Sequence, residues 1–295
     1  MAIKIYNSET KKIEEENVCQ EFFMKFLYSN FAGKFLLWAL VKRKFFSAIF
    51  GFWADCFISK RAVQSFVKSY NINLEESEIS SAENFKNFNE FFSRKLKDSA
   101  RPIPSDGNIF CFPCDGRHLA VENLSQDYSL YVKGQKMNLE KLLGCKNLAR
   151  RFEEGSMLIS RLSPLDYHRY HYCASGNILA QKNLGGFLYS VSPIALKRNL
   201  NYLLENKRIL TLIELNNQKI CAYVEVGATN VGRIINFANP SHSVKRGDQK
   251  GKFEFGGSCV ITLYEKGAIQ FIPELLEYSK QSIEYYTKAN KSLSV

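Results

Sequence analysis

The segment Phe255-Gly256-Gly257-Ser258-Cys259-Val260 sets a serine behind two glycines at the head of an apolar run. Paired glycines let the backbone take conformations that other residues resist. A serine hydroxyl presented there can attack the carbonyl on its own amino side. The product is an ester, and elimination from it cuts the chain between Gly257 and Ser258. The serine is left as dehydroalanine, which loses ammonia to give an N-terminal pyruvoyl group. That ketone forms a Schiff base with a substrate amine and accepts electrons as a carboxylate departs, the role a PLP ring plays elsewhere. Taken alone, Gly-Gly-Ser describes a turn leading into a strand equally well.

A serine needs a base. Leu162-Ser-Pro-Leu-Asp166-Tyr167-His168-Arg169-Tyr170-His171 holds two of the four histidines, three residues apart, after an apolar run. Either histidine could take the proton of an attacking hydroxyl; a metal pair or satisfied surface histidines are the other readings. Pro113-Cys114-Asp115-Gly116-Arg117 is first of all a turn, and secondly a carboxylate that could orient a histidine and stabilise its cation.

Several other chemistries find no support. Gly247-Asp-Gln-Lys-Gly251-Lys252 is one residue short of a Walker A loop, and Phe253 replaces its Ser or Thr. Gly227-Ala-Thr-Asn-Val-Gly232-Arg233 has the glycine spacing but no Lys. Cys111-Phe-Pro-Cys114 has zinc-knuckle spacing, yet no second such pair exists among the eight cysteines, so no metal is expected. Scattered thiols in a chain this long read as reduced, in a cytosolic compartment.

The elements that must position these residues change character along the chain. Phe22, Phe23, Phe26, Leu27 and Phe31 recur at near-helical spacing, followed by Phe35–Val41, Lys42-Arg43-Lys44 and Phe45–Ala54. Three cations split the apolar stretch into runs too short to span a bilayer. A helix lying in the interface tolerates such a break, with rings at the acyl boundary and cations at phosphates. Both tryptophans, Trp38 and Trp53, fall here, as interfaces favour. An ordinary buried helical hairpin is the competing reading. Residues 85–96 predict a helix whose apolar side holds Phe88, Phe91, Phe92 and Leu96. From residue 108 onward short apolar runs separated by Gly, Asn, Asp and Pro predict strands at 119–121, 157–162, 209–214, 220–226, 231–236 and 259–264. Residues 272–291 read as a final helix. The expected fold is α+β: a helical membrane-associating region at 1–75, then a β-rich catalytic domain at 76–295. The formal net charge of +11 suits nucleic acid or an anionic membrane surface. No helix-turn-helix, zinc-finger or aromatic RNA-binding pattern supports nucleic acid as a partner.

Seven segments in order resemble the phosphatidylserine decarboxylase family. They are Asn87–Leu96, Pro113–Gly116, Leu162–His171, Leu188–Pro193, Val226–Gly232, Lys250–Ser258 and Val260–Tyr264. The chain departs from the family's usual residues at Cys259, where Thr is common, and at Ser192, where Asn usually precedes Pro193. The resemblance implies roles. Ser258 would be the self-cleaving serine and the source of a covalent pyruvoyl cofactor, His171 the base of the cleavage triad and Asp115 its orienting acid. His168 would serve decarboxylation. Cleavage would yield a β chain, 1–257, paired with an α chain, 258–295, acting on phosphatidylserine in a membrane. No cleavable signal peptide is visible, so a peripheral site on the cytoplasmic side of the cell membrane is expected. A pyruvoyl decarboxylase of a soluble amino acid, or a non-catalytic basic membrane-binding protein, are the alternative readings.

Overall fold

Apart from Arg161 and Glu225, residues 156–162, 220–227 and 258–264 are apolar or small on both parities and rich in Val, Ile, Leu and Tyr. Side chains alternate across a strand, so such segments can be buried on two faces at once. The computed structural model describes residues 3–16, 44–126, 130, 135–228, 233–237, 242–256 and 258–295, and no side chains at 44–48 and 50. It is α+β. The strands are β1 (Lys4–Asn7), β2 (Lys12–Glu15), β3 (Gly116–Val121), β4 (Ser156–Leu162), β5 (Arg169–His171), β6 (Gly176–Leu184), β7 (Arg208–Leu215), β8 (Ile220–Gly227), β9 (Ile234–Asn236), β10 (Ser243–Val244), β11 (Gln249–Phe253), β12 (Ser258–Tyr264) and β13 (Glu284–Thr287). The helices are α1 (Lys44–Asp55), α2 (Lys60–Tyr70), α3 (Phe88–Phe92), α4 (Leu139–Leu143), α5 (Lys146–Arg151), α6 (Pro193–Leu196), α7 (Asn201–Glu205) and α8 (Pro273–Lys280).

Among the described residues ten strands form one sheet, in the order β10-β6-β7-β8-β12-β4-β3-β13-β1-β2. β12 lies between β4 and β8, antiparallel to both, with Ser258 opposite Leu162 on one side and Gly227 on the other. One face of the sheet carries Ile159, Val224, Val226, Cys259, Ile261 and Leu263 against Leu142, Leu143 and Leu203 of the short helices. The opposite face carries Leu158, Leu162, Tyr223, Val260 and Tyr264. On it lies a second sheet, β5-β11-β9, through Tyr170 and Phe253. By strand alternation Ser258 shares the Val260 face and so points toward the small sheet. At the N-terminal side, α1 and α2 pack on α3: Ala54, Val63, Phe85, Phe88, Phe91 and Phe92 form a separate buried cluster.

Three expectations are corrected. Residues 4–15, placed within a helical region, are strands that extend the main sheet, β1 running parallel to β13. Ile5 and Tyr6 are buried, and Tyr6 stacks on Tyr278 at 3.9 Å while its hydroxyl donates to Glu274. The final helix ends at Lys280. Ser282 then takes φ +56°, and the aromatic run at Tyr285-Tyr286 becomes β13. The helix predicted at 85–96 is only α3, capped by the Asn87 side chain accepting from the Glu90 amide. The expectations at residues 18–43, at 231–232 and at Gly257 lie outside the described residues. Among those described, no helix is long and apolar enough to cross a membrane.

Candidate active site

Ser258 opens β12, fully buried, and its Oγ has no hydrogen-bond partner. Two residues earlier Gly256 takes φ +134°, a conformation almost closed to residues with a Cβ. The strand before the turn, β11, belongs to the small sheet and the strand after it to the large one, so the chain changes layers at Ser258.

His168 and His171 enter on the segment that follows β4. The turn Ser163–Asp166 closes with the Asp166 amide donating to the Ser163 carbonyl, and the Ser163 amide donates to Asp166 Oδ2 at 2.7 Å. His168 is wholly buried, its ring 3.8 Å from that of Phe92, and its carbonyl accepts from the Phe253 amide at 2.9 Å. His168 Nδ1 lies 3.0 Å from the Asp166 carbonyl. His171 ends β5, with Nδ1 2.9 Å from the Gly247 carbonyl. A carbonyl can only accept, so in both rings Nδ1 carries the proton and Nε2 keeps its lone pair. Both Nε2 atoms are buried and unpartnered. Burial pushes the His168 imidazole down to about 3, against the pull of its Asp166 bond. Burial also lowers His171, opposed by the Gly247 bond and by the field of Asp115. Gly247 itself takes φ +82°, in a turn that aims its carbonyl at His171.

Asp115 immediately precedes β3. Its carboxylate is gripped by Arg101, with Nε to Oδ1 at 2.8 Å and the second nitrogen to Oδ2 at 2.5 Å, and Oδ1 also accepts from the Ala289 amide. No hydrogen bond joins Asp115 to His171; the two are coupled through space, the carboxylate favouring the imidazolium. The sequence motif therefore brings Asp115 into the neighbourhood of His171, with Arg101 as its direct partner.

Residues not singled out from sequence complete the setting. Arg101 sits in a stretch that reads only as turn chemistry. Arg117 pairs with Asp166 and with Glu16, and Arg161 pairs with Glu16 and with Glu284. This buried chain of charges runs from the N-terminal strands to the His168 turn. Glu225 and Lys250 form a buried ion pair on the Ser258 face, with Lys250 also donating to Thr211 Oγ1 at 3.0 Å. A Glu between two valines in an otherwise apolar strand was the available signal for that pair. Cys111 and Cys114 are buried free thiols, and burial raises both well into the protonated range. Among the described residues no three potential metal ligands cluster.

The arrangement offers a buried hydroxyl at a layer change, two neutral histidines each presenting a bare Nε2, and a carboxylate held close by. A family model described as phosphatidylserine decarboxylase matches residues 88–285. Among curated proteins, the phosphatidylserine decarboxylase proenzyme of Clostridium beijerinckii is 39% identical over 282 residues, covering 96% of this chain and 95% of the relative. That of Clostridium botulinum is 38% identical over 293 residues, 99% of each chain. That of Clostridium perfringens is 38% identical over 288 residues, 98% of this chain and 97% of the relative.

Proposed function

The chain belongs to the phosphatidylserine decarboxylase family, and from that premise we propose that it decarboxylates phosphatidylserine to phosphatidylethanolamine after cutting itself between Gly257 and Ser258. The observation that carries the self-cleavage is the buried, unpartnered Ser258 Oγ at the head of β12 behind Gly256 with its positive φ. A buried hydroxyl without a partner forfeits hydrogen bonds it would have in water, so its burial here calls for a reason other than stability.

In the precursor, Ser258 Oγ attacks the carbonyl of residue 257. His171 takes the hydroxyl proton at Nε2, since its Nδ1 is committed to Gly247. Asp115 stabilises the imidazolium through space, and Arg101 fixes where that carboxylate stands. The pyruvoyl group that such cleavage leaves at residue 258 supplies a ketone for the substrate's amine and an electron sink for the departing carboxylate. The site suits it: the position is buried, flanked by Leu162 and Gly227, and has no competing side-chain bond to Ser258. We assign to His168 Nε2, whose Nδ1 is committed to the Asp166 carbonyl, the handling of a proton in the decarboxylation step; burial disfavours its charged form, so the proton is not retained on the ring. Phe92 and Phe255, with ring centroids 5.3 Å apart, keep bulk water from this side of the ring.

The α chain, 258–295, stays paired with the β chain, 1–257. The substrate's acyl tails keep it in a bilayer, so the enzyme works at a membrane surface. We place it peripherally on the cytoplasmic side of the cell membrane, supported by the exposed rings of α1 and by the charge of +11.

Intact-mass spectra of wild type, Ser258→Ala and His168→Ala test the scheme. Wild type should give two chains split after residue 257, the smaller beginning in pyruvoyl. Ser258→Ala should give one inactive chain. His168→Ala should still split, with kcat lower by about 10²–10⁴. An active Ser258→Ala variant, or a His168→Ala variant that cannot split, refutes the corresponding assignment.

A further inference from the structure

A cleft of roughly 450 Å³ opens beside the His168 turn, lined by Asn89, Ser93, Arg94, Arg169, Lys252 and Glu254 among others. It touches the decarboxylation site from two directions: Arg169 follows His168 in the chain, and Ser93 follows Phe92, whose ring lies on His168. The cleft's acidic groups have partners. Glu78 pairs with Lys95 at 2.6 Å, Glu254 and Asp55 with Arg233 at 3.3 and 3.2 Å, and Glu90 accepts from the Lys86 amide at 2.6 Å.

Arg94 differs. It is only 7% exposed, lines the cleft, and its Nε has no hydrogen-bond partner. Its one side-chain hydrogen bond among the described residues is a long one, 3.5 Å, to the Phe91 carbonyl, while its guanidinium lies 5.3 Å from the Phe91 ring. The carboxylates in its field, Asp115 and Asp166, are already clamped by Arg101 and Arg117. A buried guanidinium with a donor left over is costly unless an anion arrives. Its planar fork matches two oxygens of one phosphorus. Two more cations face the same space. Arg169 is fixed by its bonds to the Ser93 carbonyl and Gln249 Oε1. Lys252 approaches Ser93 Oγ at 3.4 Å.

We propose that Arg94, with Arg169 and Lys252 across the cleft, is the receptor for the phosphodiester of the lipid headgroup, holding it so that the amine and carboxylate reach His168 and residue 258. This rests on the phosphatidylserine reading for its substrate, but the receptor itself can be tested without catalysis.

The probe is dihexanoylphosphatidylglycerol below its micelle concentration, which offers the phosphodiester and no amine. It is titrated calorimetrically into processed wild type, Arg94→Gln, Arg94→Lys and Lys252→Gln, each checked for splitting into two chains. Arg94→Gln should lose at least tenfold in affinity, and Arg94→Lys, which keeps charge without the fork, should fall between. Lys252→Gln should lose about threefold to tenfold, and it carries the test should Arg94→Gln fail to fold. With dihexanoylphosphatidylserine, Arg94→Gln should raise KM far more than it lowers kcat, a split that general loosening of the fold does not produce. Wild type that ignores the probe, or folded variants within twofold of wild type, overturns the proposal. So does a site that takes inorganic phosphate as tightly as the lipid, which would be a free-phosphate site. Arg94-dependent binding without carbon dioxide release from phosphatidylserine would leave the receptor standing and sink the decarboxylase reading; release with unchanged binding would do the reverse.

Discussion

Three buried histidines give the protein a pH dependence that can be signed. His118, whose Nδ1 lies 2.8 Å from Ser160 Oγ, is pushed by burial down to about 3, as is His168, and His171 is lowered too. Unfolded, each would titrate near 6.5. Above that pH both states are neutral and the histidines cost nothing. As pH falls below about 6.5 the unfolded chain takes up protons that the folded one refuses, so stability drops until the folded pKa is reached. The midpoint of urea unfolding should therefore fall between pH 7 and pH 5, before ordinary carboxylates titrate. His118→Asn, outside the catalytic set, should reduce that slope by about a third if the three contribute alike. A flat profile in wild type over this window contradicts the assignment. The same depression keeps His168 neutral at Nε2 well below pH 5, so an acid limb of activity should come from other groups. Ser258, His168, His171 and Asp115 could be named from the sequence through seven segments that resemble one family in order; the Gly-Gly-Ser turn and the histidine pair alone left other readings open. Arg94 and Arg101 could not, because nothing local tells a buried arginine from a solvated one; burial is decided by segments far away in the chain.

At the scale of elements, the short apolar runs named the core strands within a residue or two, since β4, β7, β8 and β12 carry their signal in consecutive apolar residues. β6 was missed: eight of its nine residues are partly or fully exposed, and a solvated strand has little apolar pattern to read. β1 and β13 were misassigned because each is a four-residue strand that is stable only through its partner. Their pairing has a consequence for the mature enzyme. The segment 258–295 supplies β12, held by seven register pairs on each side, and β13, paired to β3 and β1. Glu284 grips Arg161, and the Ala289 amide grips Asp115. Cutting before Ser258 leaves these contacts in place, and removing one partner from a buried ion pair typically costs about 3–5 kcal/mol. The two chains should therefore co-elute through gel filtration at neutral pH and separate only in denaturant. Separate elution under native conditions would mean that the α chain is not locked into the sheet as the register implies.

For the molecule as a whole, the question is how a site buried between two sheets meets a substrate anchored in a bilayer. α1 and the turn after it answer with two faces. Ala54 and Ser59 are buried against α3, whose Phe92 touches His168. Phe52, Phe57 and Ile58 on the other face are 74%, 75% and 72% exposed. The buried side is what a packed hairpin requires of this segment, and the exposed side is what the proposed membrane contact would use. Lys60 lies 5.7 Å from the Phe57 ring centroid and Arg61 is exposed beside it, so cations flank the rings as an anionic interface favours. The exposed rings sit on and just after α1, whose Asp55 also lines the Arg94 cleft, the proximity that the proposed membrane contact requires. Burying one such ring contributes about 2 kcal/mol. Phe52→Asp combined with Phe57→Asp should then weaken binding to phosphatidylserine-containing vesicles by on the order of 10²–10³, measured by flotation. Because both positions point away from the core, splitting into two chains should be unaffected. Turnover of dihexanoylphosphatidylserine, which needs no bilayer, should stay within about twofold of wild type, while turnover of long-chain lipid in vesicles falls with binding. Vesicle binding unchanged in the double variant would remove this face from the membrane contact, and equal loss on both substrates would show that the rings support the site rather than the encounter.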